Sequence, residues 1–168
     1  MRFVESLNRS LHEMMQDDKR VLLLGEDILD PYGGAFKVSK GLSTAFPEQV
    51  LTTPVSEAGI TGVATGLALR GFLPIVEIMF GDFLTLTADQ VINGACKFPW
   101  MYNEQVTVPL TIRTAVGARR GYGPTHSQTM ETLFLNTPQM TIIAPNHLIP
   151  PGPLLRSAVV DLPSPTLF

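Results

Sequence analysis

The chain has 168 residues, 45% of them hydrophobic and only 16% charged, with a net charge of −3 at pH 7. That size suits one domain with its own core, and the charge content lies below the roughly 25% usual for soluble domains, which points to surface covered by partner subunits. A pI near 5.5 offers no basic field for nucleic acid, and no apolar run approaches the ~18 residues of a membrane span. Met1-Arg2-Phe3-Val4-Glu5 lacks the charged-then-apolar pattern of a signal peptide. The single cysteine, Cys96, leaves no internal disulfide framework, so a cytoplasmic setting is expected.

Apolar residues at 3, 4, 7, 11, 14 and 15 predict an amphipathic first helix, ended by Asp17-Asp18-Lys19. Val21-Leu22-Leu23-Leu24 reads as a buried parallel strand. Tyr32–Ala35 is a loop, Val38–Phe46 a short helix, and Val50–Thr53 a second strand that delivers the chain to Glu57. From Glu57 to Leu69 runs a helix of Gly, Ala and Thr, stopped at Gly71. A helix that thin allows close approach by a neighbouring helix or a flat ligand. Its first-turn carboxylate is favoured by the positive end of the helix dipole. Pro74–Met79 is strand three, and Phe83–Lys97 a helix with Leu84, Leu86, Val91, Ile92, Ala95 and Cys96 on its buried faces. Val108–Arg113 is strand four, followed by the Gly/Arg-rich loop 117–124 and a helix over 127–135. Met140–Ala144 is strand five, Leu154–Val160 a helix, and Pro165–Phe168 the start of a sixth strand.

Alternating strands and helices with short connections predict an α/β fold with a doubly wound, mainly parallel sheet and helices on both faces. Ligands in such sheets bind beyond the carboxyl ends of the strands. Glu57, Phe80, Phe83 and His126 all fall there, a set suited to a flat nitrogen-containing ring. Each also has a plainer reading. Glu57 is a favourable first-turn acid, Phe80 and Phe83 are core, His126 opens a helix capped by Thr125, and Arg119-Arg120 is a solvated pair or meets an anion. Cys96, His12 and His147 are given no role. Neither a phosphate loop nor a Gly-x-Gly-x-x-Gly fingerprint is present, nor zinc-spaced Cys/His, nor a nucleophile elbow.

Gly25-Glu26-Asp27, Gly33-Gly34-Ala35-Phe36 and Thr53-Pro54-Val55-Ser56-Glu57-Ala58-Gly59 resemble the beta subunit of the E1 component of 2-oxo acid dehydrogenase complexes. Phe80-Gly81-Asp82-Phe83, Ala88-Asp89-Gln90-Val91-Ile92-Asn93, Ala95-Cys96-Lys97 and His126-Ser127-Gln128 extend the likeness, in order and with family-like spacing, over nearly the whole chain. The group includes pyruvate, branched-chain and acetoin dehydrogenases, all thiamine diphosphate-dependent. The resemblance covers residues 1–168 as the transketolase-like, pyrimidine-binding domain and lacks the family's carboxyl-terminal domain; the chain also ends inside an apolar β-like run, as a piece of a longer or split assembly would.

The resemblance implies roles. Glu57 hydrogen-bonds N1′ of the aminopyrimidine and stabilises its protonated or imino tautomers. Phe83 packs against that ring, Val55 and Met79 line the same pocket, and Glu26 is an acid near the cofactor. His126 faces the substrate and the incoming lipoyl group. The diphosphate and its Mg²⁺ belong to the alpha subunit, through a Gly-Asp-Gly motif this chain lacks. A potassium ion is held in some members through backbone carbonyls matching Leu110, Ala158, Asp161 and Pro163. Expected partners are an alpha subunit, a second beta subunit and a lipoyl-bearing E2 acyltransferase, in cytoplasm or mitochondrial matrix. The isolated chain is expected to be inactive. Two alternatives stand beside this: a fragment of a transketolase or deoxyxylulose-phosphate synthase, and a non-catalytic assembly module of the same fold. Pro150, Pro151 and Pro153 depart from the pattern, since they crowd the start of the last helix.

Overall fold

The computed structural model describes residues 2–117 and 121–168. A sheet of six strands forms the centre: β1 (Val21–Gly25), β2 (Val50–Thr52), β3 (Leu73–Ile78), β4 (Thr111–Thr114), β5 (Thr141–Ile142) and β6 (Thr166–Leu167). Their order is β2-β1-β3-β4-β6-β5, and every pairing is parallel. β1 and β3 are buried along their whole length, as apolar runs, interrupted in β3 only by Glu77, require of strands covered on both faces.

Two helices cover one face. The apolar stripe of α1 (Phe3–Asp17) packs beside α6 (Pro151–Val160), and Leu7, Leu11, Met14 and Leu155 meet Val21, Leu23 and Ile75 of the sheet. The other face carries α3 (Glu57–Leu69) and α4 (Leu84–Asp89), whose Ile60, Ala64 and Leu84, with Val91 just beyond α4, pack on Leu22, Leu24, Val76 and Ile112. The doubly wound architecture expected from the alternation is therefore present. Three prolines at the head of α6 are accommodated because Pro150 is the cap, Pro151 the first helical residue and Pro153 still in the first turn, so the helix starts at 151 rather than 154.

Other boundaries moved for identifiable reasons. The helix expected over 38–46 shrinks to α2 (Leu42–Ala45), because the Asp30 carboxylate takes the Gly41 and Thr44 N–H groups and the Ser43 hydroxyl. The expected 83–97 helix is continuous in direction but not in pitch. A 3₁₀ turn at Gly81–Phe83 leads into α4, and a π-helical stretch at Gln90–Ala95 follows, closed by Cys96 N–H on Val91 O at 2.9 Å. Leu86 consequently faces outward at 54% exposed, whereas Leu84, Val91, Ala95 and Cys96 are buried as expected. The short helix α5 (Phe98–Met101) follows. β4 begins at Thr111 rather than Val108, since Pro109 has no N–H for a ladder. β5 is two residues long, not five. Over 127–135 only a 3₁₀ turn at Glu131–Phe134 forms. The Gln128 N–H donates to Asp82 Oδ2 at 3.2 Å.

Candidate functional site

β2 lies on one side of β1 and β3 on the other, so a crevice opens at the carboxyl ends of β1 and β3, where the chain diverges. Glu26 leaves β1 there, and Glu57 opens α3 after the short β2. Glu57 is 6% exposed, and no hydrogen bond reaches its carboxylate among the described residues. The polar groups beneath it are satisfied: the Thr61 hydroxyl donates to Glu57 O and the Thr65 hydroxyl to Thr61 O, both at 2.8 Å. Burial pushes the Glu26 carboxyl above its usual range, and the charges of Glu57 and Asp27 add to this, while the Ser56 N–H pulls it back. Two carboxylates thus share one desolvated corner, with Val55 beside them at 79% exposed and Met79 half-buried past β3.

An aromatic group stands on the same rim. Phe80 is its hub, edge-on to His126 at 4.6 Å between centroids, and in contact with Phe36, Tyr122 and Phe83 at 5.5, 5.6 and 6.0 Å. His126 also meets the Phe83 ring at 5.4 Å, and its Nδ1 lies 2.7 Å from the Thr125 hydroxyl. Phe80 and Phe83 are half-buried, Phe83 also packing against the core beneath α3 and α4, and His126 opens no helix. Arg119-Arg120 lies outside the described residues. Behind the cluster a cavity of about 290 Å³ is lined by Phe36, Phe80, Arg113, Val116, Tyr122 and His126.

The strand ends also hold a buried pair that sequence reasoning passed over. Glu77 on β3 and Arg113 on β4 are register partners, with Arg113 Nη2 2.6 Å from Glu77 Oε2 and both side chains about 5% exposed. The contact is close but off the hydrogen-bond axis, so its attraction is chiefly coulombic, and Arg113 Nε is left without an acceptor. The signal lies in the sequence: a lone charge inside each of two apolar parallel strands demands a counter-charge. Asp82 and Gln128 form a second missed contact, with Asp82 Oδ1 accepting from Gln128 Nε2 at 2.9 Å.

Of the residues matched to a potassium site, three have carbonyls that already accept hydrogen bonds near the start of β4. Leu110 O accepts from Thr166 N–H, Pro163 O from Val108 N–H, and Ala158 O from the Thr111 hydroxyl at 3.4 Å, while Asp161 caps α6. No cluster of three or more His, Cys, Asp or Glu side chains suited to a metal occurs among the described residues, and no helix among them is long and apolar enough to cross a membrane.

Comparison with known proteins agrees with this geometry. The chain is 39% identical over 165 residues to the pyruvate dehydrogenase E1 component subunit beta-2, mitochondrial, of Oryza sativa subsp. japonica, covering 98% of this chain and 43% of that protein. It is 36% identical to the 2-oxoisovalerate dehydrogenase subunit beta of Bacillus subtilis (strain 168), covering 100% of this chain and 51% of the relative. The Bacillus subtilis acetoin:2,6-dichlorophenolindophenol oxidoreductase subunit beta is also 36% identical, over 94% of this chain and 49% of its own. The chain therefore spans about half the length of these relatives. A solved structure described as "Split gene transketolase, inactive beta4 tetramer" shares the fold, with a TM-score of 0.75 at 21% identity over 98% of this chain and 49% of that one. The family model for the transketolase pyrimidine-binding domain matches residues 1–168, and the chain belongs to that family.

Proposed function

We propose that this domain is the pyrimidine-binding half of a thiamine diphosphate-dependent E1 enzyme that oxidatively decarboxylates a 2-oxo acid and reductively acylates a lipoyl domain. The observation that carries the reading is the Glu57 carboxylate, buried at the crevice mouth with no donor among the described residues and with Glu26 crowded against it. A carboxylate on a residue only 6% exposed and without a protein donor among the described residues has its acceptor capacity open towards the crevice, and a protonated ring nitrogen of a flat heterocycle supplies the missing N–H. The residues therefore fit an aminopyrimidine.

When bound, thiamine diphosphate would supply the electron sink for decarboxylation. The roles of this chain are narrower. Glu57 would hold a proton at N1′ and so set the tautomer of the ring. Phe83 would pack against the ring face, with Val55 and Met79 closing the pocket around it. Glu26 would raise the local negative potential, which favours a proton on the ligand. His126, held on Phe80, would orient or exchange a proton with the substrate side of the site. The diphosphate and Mg²⁺ are assigned to an alpha subunit, with a second beta subunit and a lipoyl-bearing E2 completing the assembly, in cytoplasm or mitochondrial matrix. A potassium ion would sit on the free lone pairs of the carbonyls near Leu110, Ala158, Asp161 and Pro163.

The test is calorimetric binding of thiamine diphosphate with Mg²⁺, with and without a co-expressed alpha subunit, for the parent and Glu57→Gln. Binding only in the complex, with turnover lowered by ~10²–10⁴ in the variant, is the expected result. A stable complex that binds no cofactor would overturn the catalytic reading and leave an assembly module.

A further inference from the structure

We propose that Asp82 is a positioning residue: its carboxylate clamps Gln128 and thereby fixes the ring of His126, two residues earlier. Asp82 is 8% exposed in the 3₁₀ turn after β3. Its Oδ1 accepts from Gln128 Nε2 at 2.9 Å, and its Oδ2 accepts from the Gln128 backbone N–H at 3.2 Å. One carboxylate thus holds both the side chain and the main chain of a residue 46 positions away. Burial alone would raise the Asp82 carboxyl, but the donors from Gln128, aided by His126, hold it below its usual range. It is therefore a charged acceptor, which makes both bonds stronger than neutral ones.

The two loops meet closely enough to make the clamp stiff. Gly81 N–H donates to Ala115 O at 2.9 Å, and a Cβ on Gly81 would lie 2.6 Å from Val116 Cγ1 and 3.1 Å from Gln128 O. Within Phe80–Phe83, the same four residues supply the aromatic walls for the imidazole and the carboxylate that holds its loop. By contrast the local backbone tie of His126 is weak, its N–H reaching Gly123 O only at 3.5 Å. Gln128 Nε2 also reaches Pro124 O at 3.4 Å and Met130 packs on the core, so the clamp acts on a segment anchored at its far end and fixes the part that carries His126.

What the clamp is for rests on the reading of His126 as the group facing substrate; where it places the ring does not. The experiment therefore has two arms. In the first, the chain is labelled with ¹³C/¹⁵N-histidine, and the three histidines are assigned by replacing His12 and His147 singly. The nearby Phe80 ring displaces the His126 ring-proton resonances. In Asp82→Ala and Gln128→Met these should move towards solvent values, with Asp82→Asn, which keeps an acceptor oxygen, intermediate and His12 and His147 unmoved. Gln128→Met, at an exposed position that tolerates the change, removes the side-chain bond and keeps the backbone one, so it tests the side-chain half of the clamp; unchanged His126 resonances in folded Asp82→Ala, or in both Gln128→Met and Asp82→Asn if Asp82→Ala unfolds, overturn the clamp. In the second arm the complex assembled with the alpha subunit should lose on the order of 10²-fold in kcat, with the KM for thiamine diphosphate unchanged. Shifted resonances with unchanged kcat support the clamp and overturn the catalytic use of His126.

Discussion

Replacing Glu77 by glutamine would strand the Arg113 guanidinium inside the sheet without a counter-charge. Both side chains are about 5% exposed and directly paired across β3 and β4, so neither can swing into water. Breaking a buried ion pair from one side costs about 3–5 kcal/mol. The amide keeps an oxygen that can accept from the guanidinium, which places Glu77→Gln at the low end, about 3 kcal/mol. A domain of this size has about 5–15 kcal/mol in total, so the loss is a large fraction, and it lowers the folding constant by about two orders of magnitude at 1.4 kcal/mol per tenfold. Arg113→Met strands the carboxylate instead, and protonation at lower pH relieves it. The double variant Glu77→Gln/Arg113→Met removes both charges and should cost far less than the sum of the single changes. Urea unfolding of the four chains, read as a midpoint shift at constant slope, measures the coupling. Single variants within 0.5 kcal/mol of the parent, or strictly additive effects, would refute the pair as a structural element.

Three further outcomes follow from the same reasoning. Gly152→Ala places a Cβ 2.5 Å from Ser6 O and 2.8 Å from Ser6 Oγ, where α6 packs on α1. Backbone cannot yield cheaply there, so the substitution should cost about 1–3 kcal/mol despite alanine's better helix propensity, read as a fall in thermal midpoint. The raised Glu26 carboxyl makes a contribution fully present below its unfolded pKa and lost as pH rises through its folded pKa. Glu26→Gln should therefore flatten the stability profile above the ordinary glutamate range, and Glu57→Gln should lower the Glu26 midpoint in a carboxyl NMR titration. An unmoved Glu26 midpoint in the second variant contradicts the shared corner. Burial pushes the Cys96 thiol up to about 11. Alkylation at pH 8 should thus be slow in the folded chain and fast in denaturant, followed by mass spectrometry.

Much of this protein is legible without coordinates. Unbroken apolar runs such as Val21–Leu24 mark strands covered on both faces, and the alternation with helices dictates a parallel sheet, because parallel strands need crossovers. The position of Glu57 at the first turn of a Gly/Ala/Thr helix, and the burial of Cys96, are equally local: each depends on a hydrogen-bonding or packing pattern contained within a dozen residues. What tertiary structure decides are contacts between distant segments. Asp30 takes the Gly41 and Thr44 N–H groups that local propensity had assigned to a helix over 38–46, and Asp82 ties Gln128 to the turn after β3, 46 positions away. The strand register brings Glu77 opposite Arg113, and the converging loops bring Phe36, Phe80, Tyr122 and His126 into one cluster. Periodicity carries which face of an element is buried; it carries no information on which distant charge or ring that face will meet, and it is those meetings that assemble the site.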